Sequence, residues 1–487
     1  MTKISKFALA TALITLFAVG CTKKDAPTDK PAEPAPAVNG AEGTVAADGT
    51  VAVDGTVPGE GTIPQTEVPK LEDFVCNPLV LKIETVEPNV DVYFRALWPD
   101  ELVLSKILLP ENAKSAIDCD GDGTYDTAEY KCHFAEAGEH KVSIKGENIS
   151  LQLCADNCVR TDDGYSCDNH LPYAVKSIES WGSVKWSSMA YFAAGCQNMV
   201  LNAKDVPDLS AVESMSYMFA YNGLMDTNIE NWDVSHVTDM NGLFLDAYAF
   251  NHPLDKWDVS KVTEMHDMFY GAAAFNQPLA SWNVSNVTNM AGMFEGATAF
   301  NQDISGWNVS NVTLMDDMFY SASVFNQDIS GWDVSNVEDM SGMFEKATAF
   351  NQPIGKWNVA KVTKMTDMFR GATAFNQPLE DWNVSNVTDM AGMFDHALAF
   401  NQPLGKWDVS KVEYFQEMFK KATAYNQSLK DWKADSAINN IGFSEDAEAF
   451  AVDNLPVWPE RHKSEADGET APAEAAAGGE AAAAPAE

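Results

Sequence analysis

Residues 282–306 read WNVSNVTNMAGMFEGATAFNQDISG, and this stretch decides the fold. Counting Trp282 as position 1, apolar residues fall at positions 3, 6, 9, 12, 13, 16, 19 and 23. The tryptophan recurs at 232, 257, 282, 307, 332, 357, 382, 407 and 432, every 25 residues, with no insertion or deletion. A fixed period of this length, held while the polar positions vary, marks a stacked array whose repeats bury their apolar faces on one another. Within the unit, Met290, Met293, Phe294 and Ala297 have the spacing of a short helix with one buried face, and Thr288 stands where an N-cap would. Alternation over residues 279–284 predicts a short strand. Each unit is then one strand and one helical turn, with neighbouring strands in parallel about 4.8 Å apart.

Other positions are repeated as strictly. Asparagine stands at 251, 276, 301, 326, 351, 376, 401 and 426, where a buried amide is expected to satisfy backbone groups of the adjacent turn. Methionines at 240, 265, 290, 315, 340, 365 and 390 form a ladder of adaptable packing. The tryptophans read as core rather than as a stripe for stacking sugars. Position 11 alternates through eight units: Gly242, Asp267, Gly292, Asp317, Gly342, Asp367, Gly392, Glu417. Alternation doubles the spacing of like charges to about 10 Å, near the screening length at physiological salt. The rival reading makes Asp267, Asp317, Asp367 and Glu417 a stripe that docks a divalent cation or a partner.

Working outward, Pro207 occupies the place of the first tryptophan, so residues 207–450 form the array and 176–206 its N-terminal cap. The last unit has Asn440 and Ser444 where Met and Phe stand elsewhere, as a capping repeat requires. Residues 73–175 carry alternating apolar stretches near 79–92 and 139–149 and read as a small, disulfide-braced β-rich domain. Cysteines at 76, 119, 132, 154, 158, 167 and 196 fit an exported disulfide framework. Cys119 and Cys132 bracket a turn-rich segment and are expected to pair, leaving Cys196 as a small buried thiol in the alanine layer. Between the two alternating stretches, Asp118, Asp120, Asp122, Asp126 and Glu129 match calcium-loop offsets. Pro110 and the strand-like exit lack the helices of an EF-hand, so calcium ligation and a plain braced turn both stay open.

The chain begins with Lys3 and Lys6, an apolar run over 7–19 and Cys21, the pattern of a signal peptide over residues 1–20. Residues 21–72, rich in Ala, Pro, Gly, Thr and acid, read as a disordered tether, and 451–487 as a disordered Ala/Glu-rich tail. The formal net charge is -39, which disfavours nucleic acid as a partner. No nucleophile–base pair recurs, and the histidines at 236, 252, 266 and 396 fall at four different repeat positions, so no enzyme is expected.

Ala18-Val19-Gly20-Cys21 resembles a bacterial lipobox, with Ala18 where Leu is usual. The resemblance implies lipidation of Cys21 and anchoring in the cell envelope, with Thr22 favouring the outer membrane in a Gram-negative cell. The V-T-x-M-x-x-M-F-x-x-A-x-A-F-N-Q-x-L-x-x-W-x-V-S unit resembles the 25-residue repeat of mycoplasma and other bacterial surface lipoproteins grouped with the BspA-like leucine-rich-repeat proteins. That likeness implies an α/β, leucine-rich-repeat-like solenoid at the cell surface, adhesion or host-matrix binding, an unknown protein or glycan ligand, and no catalysis. An envelope spacer with no specific ligand is the alternative.

Overall fold

In the computed structural model, the described residues are 22–23, 74–75, 78–85, 88–93, 117–120, 122–124, 131–145, 149–154, 158–161, 164–167, 173–196, 199–222 and 229–459. The chain divides into two compact units, residues 1–77 and 78–487. In the first, β1 (Thr22–Lys23) pairs antiparallel with β2 (Phe74–Val75).

The second unit opens on a sheet. Strands β3 (Leu79–Thr85), β4 (Val90–Tyr93), β5 (Ile117–Asp118), β6 (Lys131–Phe134), β7 (Gly138–Ile144), β8 (Cys158–Thr161), β9 (Gly164–Cys167), β10 (Tyr173–Ser180) and β11 (Val200–Leu201) follow in chain order. Five of them form one sheet in the order β11-β10-β3-β7-β5, while β4 pairs with β6 and β8 with β9. Period-two alternation aims Leu79, Leu81 and Ile83 at the core beside Val142 and Ile144. On the other face Lys82 meets Glu139 at 2.8 Å. Cys119 is bonded to Cys132. Cys196 is bonded to Cys154, which corrects the expectation of a free thiol. The same small, buried site that suits an alanine layer lies in one core with the buried Cys154, which is where its sulfur finds a partner. Trp181 and Trp186 lie edge to face, 6.2 Å apart, and Trp181 meets Trp232 at 5.3 Å, so the sheet's core runs into the array's.

Each 25-residue repeat is one rung of the array. The apolar positions foreseen as buried are buried: Val284, Val287, Met290, Met293, Phe294, Ala297, Phe300 and Ile304 are at most 1% exposed, and Trp282 is 4% exposed. Aromatic rings stack from rung to rung, Phe294 on Phe319 at 5.7 Å, Phe300 on Phe325 at 6.1 Å and Trp282 on Trp307 at 6.5 Å, near the limit for offset stacks. Within a rung, Phe294 lies 4.0 Å from Phe300.

The expected strand and helix do not form, and the backbone shows why. Over residues 279–284 the Trp282 N–H turns back to Leu279 O at 3.1 Å, while its indole Nε1 donates to Leu254 O, stacked one period before Leu279, at 2.9 Å. That segment is a turn, and the indole rather than a strand makes the link between rungs. Parallel pairing occurs at position 8, as single bridges such as Glu264 to Asn289 and Asn289 to Leu314. Over positions 9–16 the N–H groups of Met290, Gly292, Phe294 and Gly296 donate to Leu314, Asp316, Met318 and Tyr320 of the next rung, at 2.7–3.0 Å. Met293, Glu295 and Ala297 instead close local turns onto Met290, Gly292 and Phe294. Left-handed residues, Gly292 at φ +60° and Gly296 at φ +66°, divide these turns and prevent a continuous helix. Thr288 caps no helix; both its N–H and its Oγ1 donate to Thr263 O. Among the described residues the helical elements are two 3₁₀ turns, Ile354–Lys356 and Val452–Asn454, and no helix is long and apolar enough to cross a membrane.

The asparagines satisfy backbone groups as expected, but the amides are half-buried or exposed rather than buried. Asn301 Oδ1 accepts from Asn326 N and Gln327 Nε2, both at 2.9 Å, and the pattern repeats from Asn251 to Asn426. Closure of the array extends beyond residue 450. Trp458 packs on Phe415 and Phe443 at 5.4 and 4.9 Å, so residues 451–459 belong to the cap rather than to the tail. The capping Asn440 is itself buried, 5% exposed.

Candidate functional site

Position 8 carries the one bridge residue of each rung, and its side chain is exposed or half-buried throughout. Its occupants are Ser214, Asp239, Glu264, Asn289, Leu314, Asp339, Lys364, Asp389, Tyr414 and Asn439. The backbone is the same in every rung, while charge and polarity differ along the row. Leu314 and Tyr414 stand 36% and 37% exposed. The sequence reading did not single out this row; its signal was unlike residues at one position of an otherwise repetitive unit.

Beside it lies the carboxylate face. Asp267, Asp317, Asp367 and Glu417 share one register, each left-handed at φ +54 to +56°, a region aspartate tolerates better than most residues. A Cβ at Gly292, Gly342 or Gly392 would overlap Oδ1 of Asp267, Asp317 or Asp367 in the preceding rung. The alternation of glycine with acid is therefore steric as well as electrostatic. A carboxylate resting on the next Cα leaves no room for a second one.

Positions 10 and 14 complete this face. Asp267, Glu295, Asp316 and Asp317 line a cleft of about 280 Å³ with His266, Asn289, Ala291 and Gly292. Burial, then the charges of Asp317 and Asp267, push Glu295 up to about 7. Asp317 is pushed up to about 6 by burial and then by Asp316 and Glu345. Burial also raises Asp246, Asp267 and Asp316. The negative charge of Glu295, followed by burial, raises the Tyr270 phenol to about 12. Farther along, basic groups enter the face. Arg370 lies 3.2 Å from Asp395, 3.8 Å from Glu345 and 3.9 Å from Asp367, and Lys420 bridges Glu417 and Glu445.

In the β domain, single carboxylate oxygens of Asp118, Asp120 and Asp122 gather within 4.8 Å of one another. They also hold the turn: Asp118 Oδ2 accepts from Gly123 N at 3.0 Å and Asp120 Oδ1 from Asp122 N at 3.1 Å. Asp126, Glu129 and the lipidation candidate Cys21 lie outside the described residues.

These rungs and ladders define a class, a periodic repeat protein with stacked aromatic and Asn/Gln ladders behind a disulfide-containing β-sheet domain. The profile described as "Mycoplasma protein of unknown function, DUF285" matches in three tandem stretches, residues 187–291, 278–374 and 351–458. They span more than half of the 487 residues, and the chain belongs to this family. Searches of curated proteins and of solved structures return no match.

Proposed function

We propose that the protein is a lipid-anchored, surface-exposed binding protein of the cell envelope, held by acyl chains on Cys21. Its leucine-rich-repeat-like array engages an extracellular protein or glycan, and the reading assigns it no reaction. The observation that carries this proposal is the position-8 row, an ordered set of unlike side chains on a backbone fixed by bonds to both neighbouring rungs. Such preorganisation lowers the ordering cost of binding, and a linear row of differing contacts is how stacked repeats recognise extended partners. The neighbouring carboxylates at 267, 317, 367 and 417 favour a partner with basic groups.

The test is binding of the purified chain, disulfides intact, to immobilised extracellular-matrix proteins and glycans, with and without calcium. Saturable binding that is lost when residues 307–356 are deleted is expected. Absence of binding to every member of the panel would leave the spacer reading in its place.

A further inference from the structure

The two halves of the carboxylate face differ in the bases that stand among their acids, although Asp367, beside Arg370, is also pushed up to about 6, by burial and then by Glu345. Arg370, at position 14, stands among Glu345, Asp367 and Asp395. The same position is Tyr320 one two-repeat unit earlier and Tyr270 one unit before that, and neither phenol can neutralise a carboxylate. Asp246, Asp267, Glu295, Asp316 and Asp317 make no ion pair among the described residues, and four of them line one cleft. Asp267 and Asp317 each lie against the glycine of the next rung, Gly292 and Gly342, and Asp246 lies against Gly271, so these carboxylates have little room to move apart.

We propose that this uncompensated cluster makes the rungs around residues 257–331 proton-linked, so that the segment tightens as its surroundings acidify and loosens as they become alkaline. The groups that face the cluster are few. Glu295 meets Tyr270 and Asp267 on one side and Asp317 on the other, with Glu345 beyond. Asp317 meets Asp316, Asp339, Glu345 and Asp367. Asp267 meets His266 and Asp316. Asp316 meets Asp339, Lys364 and His266, but Lys364 is already held by Asp339 at 3.0 Å. His266 Nε2 lies 3.4 Å from Tyr217 Oη. Around the cluster as a whole, the acids Asp339, Glu345 and Asp367 outnumber the bases His266 and Lys364.

The sign follows from linkage. These carboxyls bind protons more tightly in the folded array than in the unfolded chain, where they titrate near 4. The folded state is therefore free of the penalty below about pH 4 and carries all of it once pH has risen past about 7. Surface carboxylates such as Asp258, held down by hydrogen bonds from Ser260, act in the opposite sense and only at lower pH.

The experiment uses the full chain, comparing thermal unfolding and amide exchange, corrected for intrinsic rates, at pH 5.5, 7 and 8. Wild type is expected to melt several degrees higher at pH 5.5 than at pH 8, with the gain in amide protection concentrated at residues 290–297. Glu295→Gln combined with Asp317→Asn should clearly reduce this dependence and abolish the gain in protection at residues 290–297, the remainder of the slope belonging to Asp367 and the other raised carboxyls, whereas Asp258→Asn should leave it intact. If the double variant does not fold, Glu295→Gln alone should reduce the slope. Equal melting at pH 5.5 and 8, or a wild-type slope in the variants, would overturn the proposal.

Discussion

At the scale of single residues, the array is decided by what can occupy a left-handed position. Gly342 has φ +60° and its Cα lies against Asp317 Oδ1. Gly342→Ala adds left-handed strain and a steric overlap, and it should cost about 1–3 kcal/mol. Adding Asp317→Gly removes the overlap and should leave about 1 kcal/mol for the left-handed alanine. Urea unfolding of the four proteins in a double-mutant cycle checks this, and strict additivity would contradict the interlock. The alternation that records it is plain in the sequence. Read as charge spacing alone, it gives the right residues but half of the cause, because nothing in a residue list shows that a carboxylate sits on the next Cα.

At the scale of the repeated element, the buried set was legible and the path of the backbone was not. The apolar positions from 3 to 23 are all interior because the core must be continuous from rung to rung. Spacing of i, i+3, i+4 and i+7 over Met290, Met293, Phe294 and Ala297 is compatible with a helix. It is equally compatible with local turns divided by left-handed residues, whose remaining N–H groups reach the next rung. The glycines at 292 and 296 decide between the two, since bonds between rungs take the place of bonds along a helix. The disulfide of Cys196 stayed hidden for a related reason, because its partner Cys154 lies 42 residues away and the sheet alone brings them together. The asparagine ladder was legible because a repeated amide needs a repeated partner. Asn301→Ala leaves Asn326 N without its acceptor and should cost about 1–3 kcal/mol. Asn301→Asp keeps an acceptor oxygen and should cost less; equal losses in denaturant unfolding would count against the hydrogen bond as the cause.

At the scale of the whole molecule, the two-repeat unit predicts which repeats can be removed. Deleting residues 307–331 brings Gly292 against Gly342, whereas deleting 332–356 brings Asp317 against Asp367, although both remove 25 residues. The second deletion should melt several degrees lower, because a carboxylate then meets a Cβ where it had met a glycine. Equal melting of the two would show that the alternation does not govern stacking. Stability in such arrays is close to a sum over neighbouring interfaces, so either protein should retain the folded sheet and the remaining rungs.

The central claim is that recognition falls on the position-8 row while the rest of each rung serves to hold it. Its most direct test is to replace Glu264, Leu314, Lys364 and Tyr414 together with asparagine, the residue already carried by the rungs of Asn289 and Asn439, and to measure affinity for whichever panel member binds the wild-type chain. Unchanged melting with affinity weakened about tenfold or more is the predicted result, and wild-type affinity in a folded variant would contradict it.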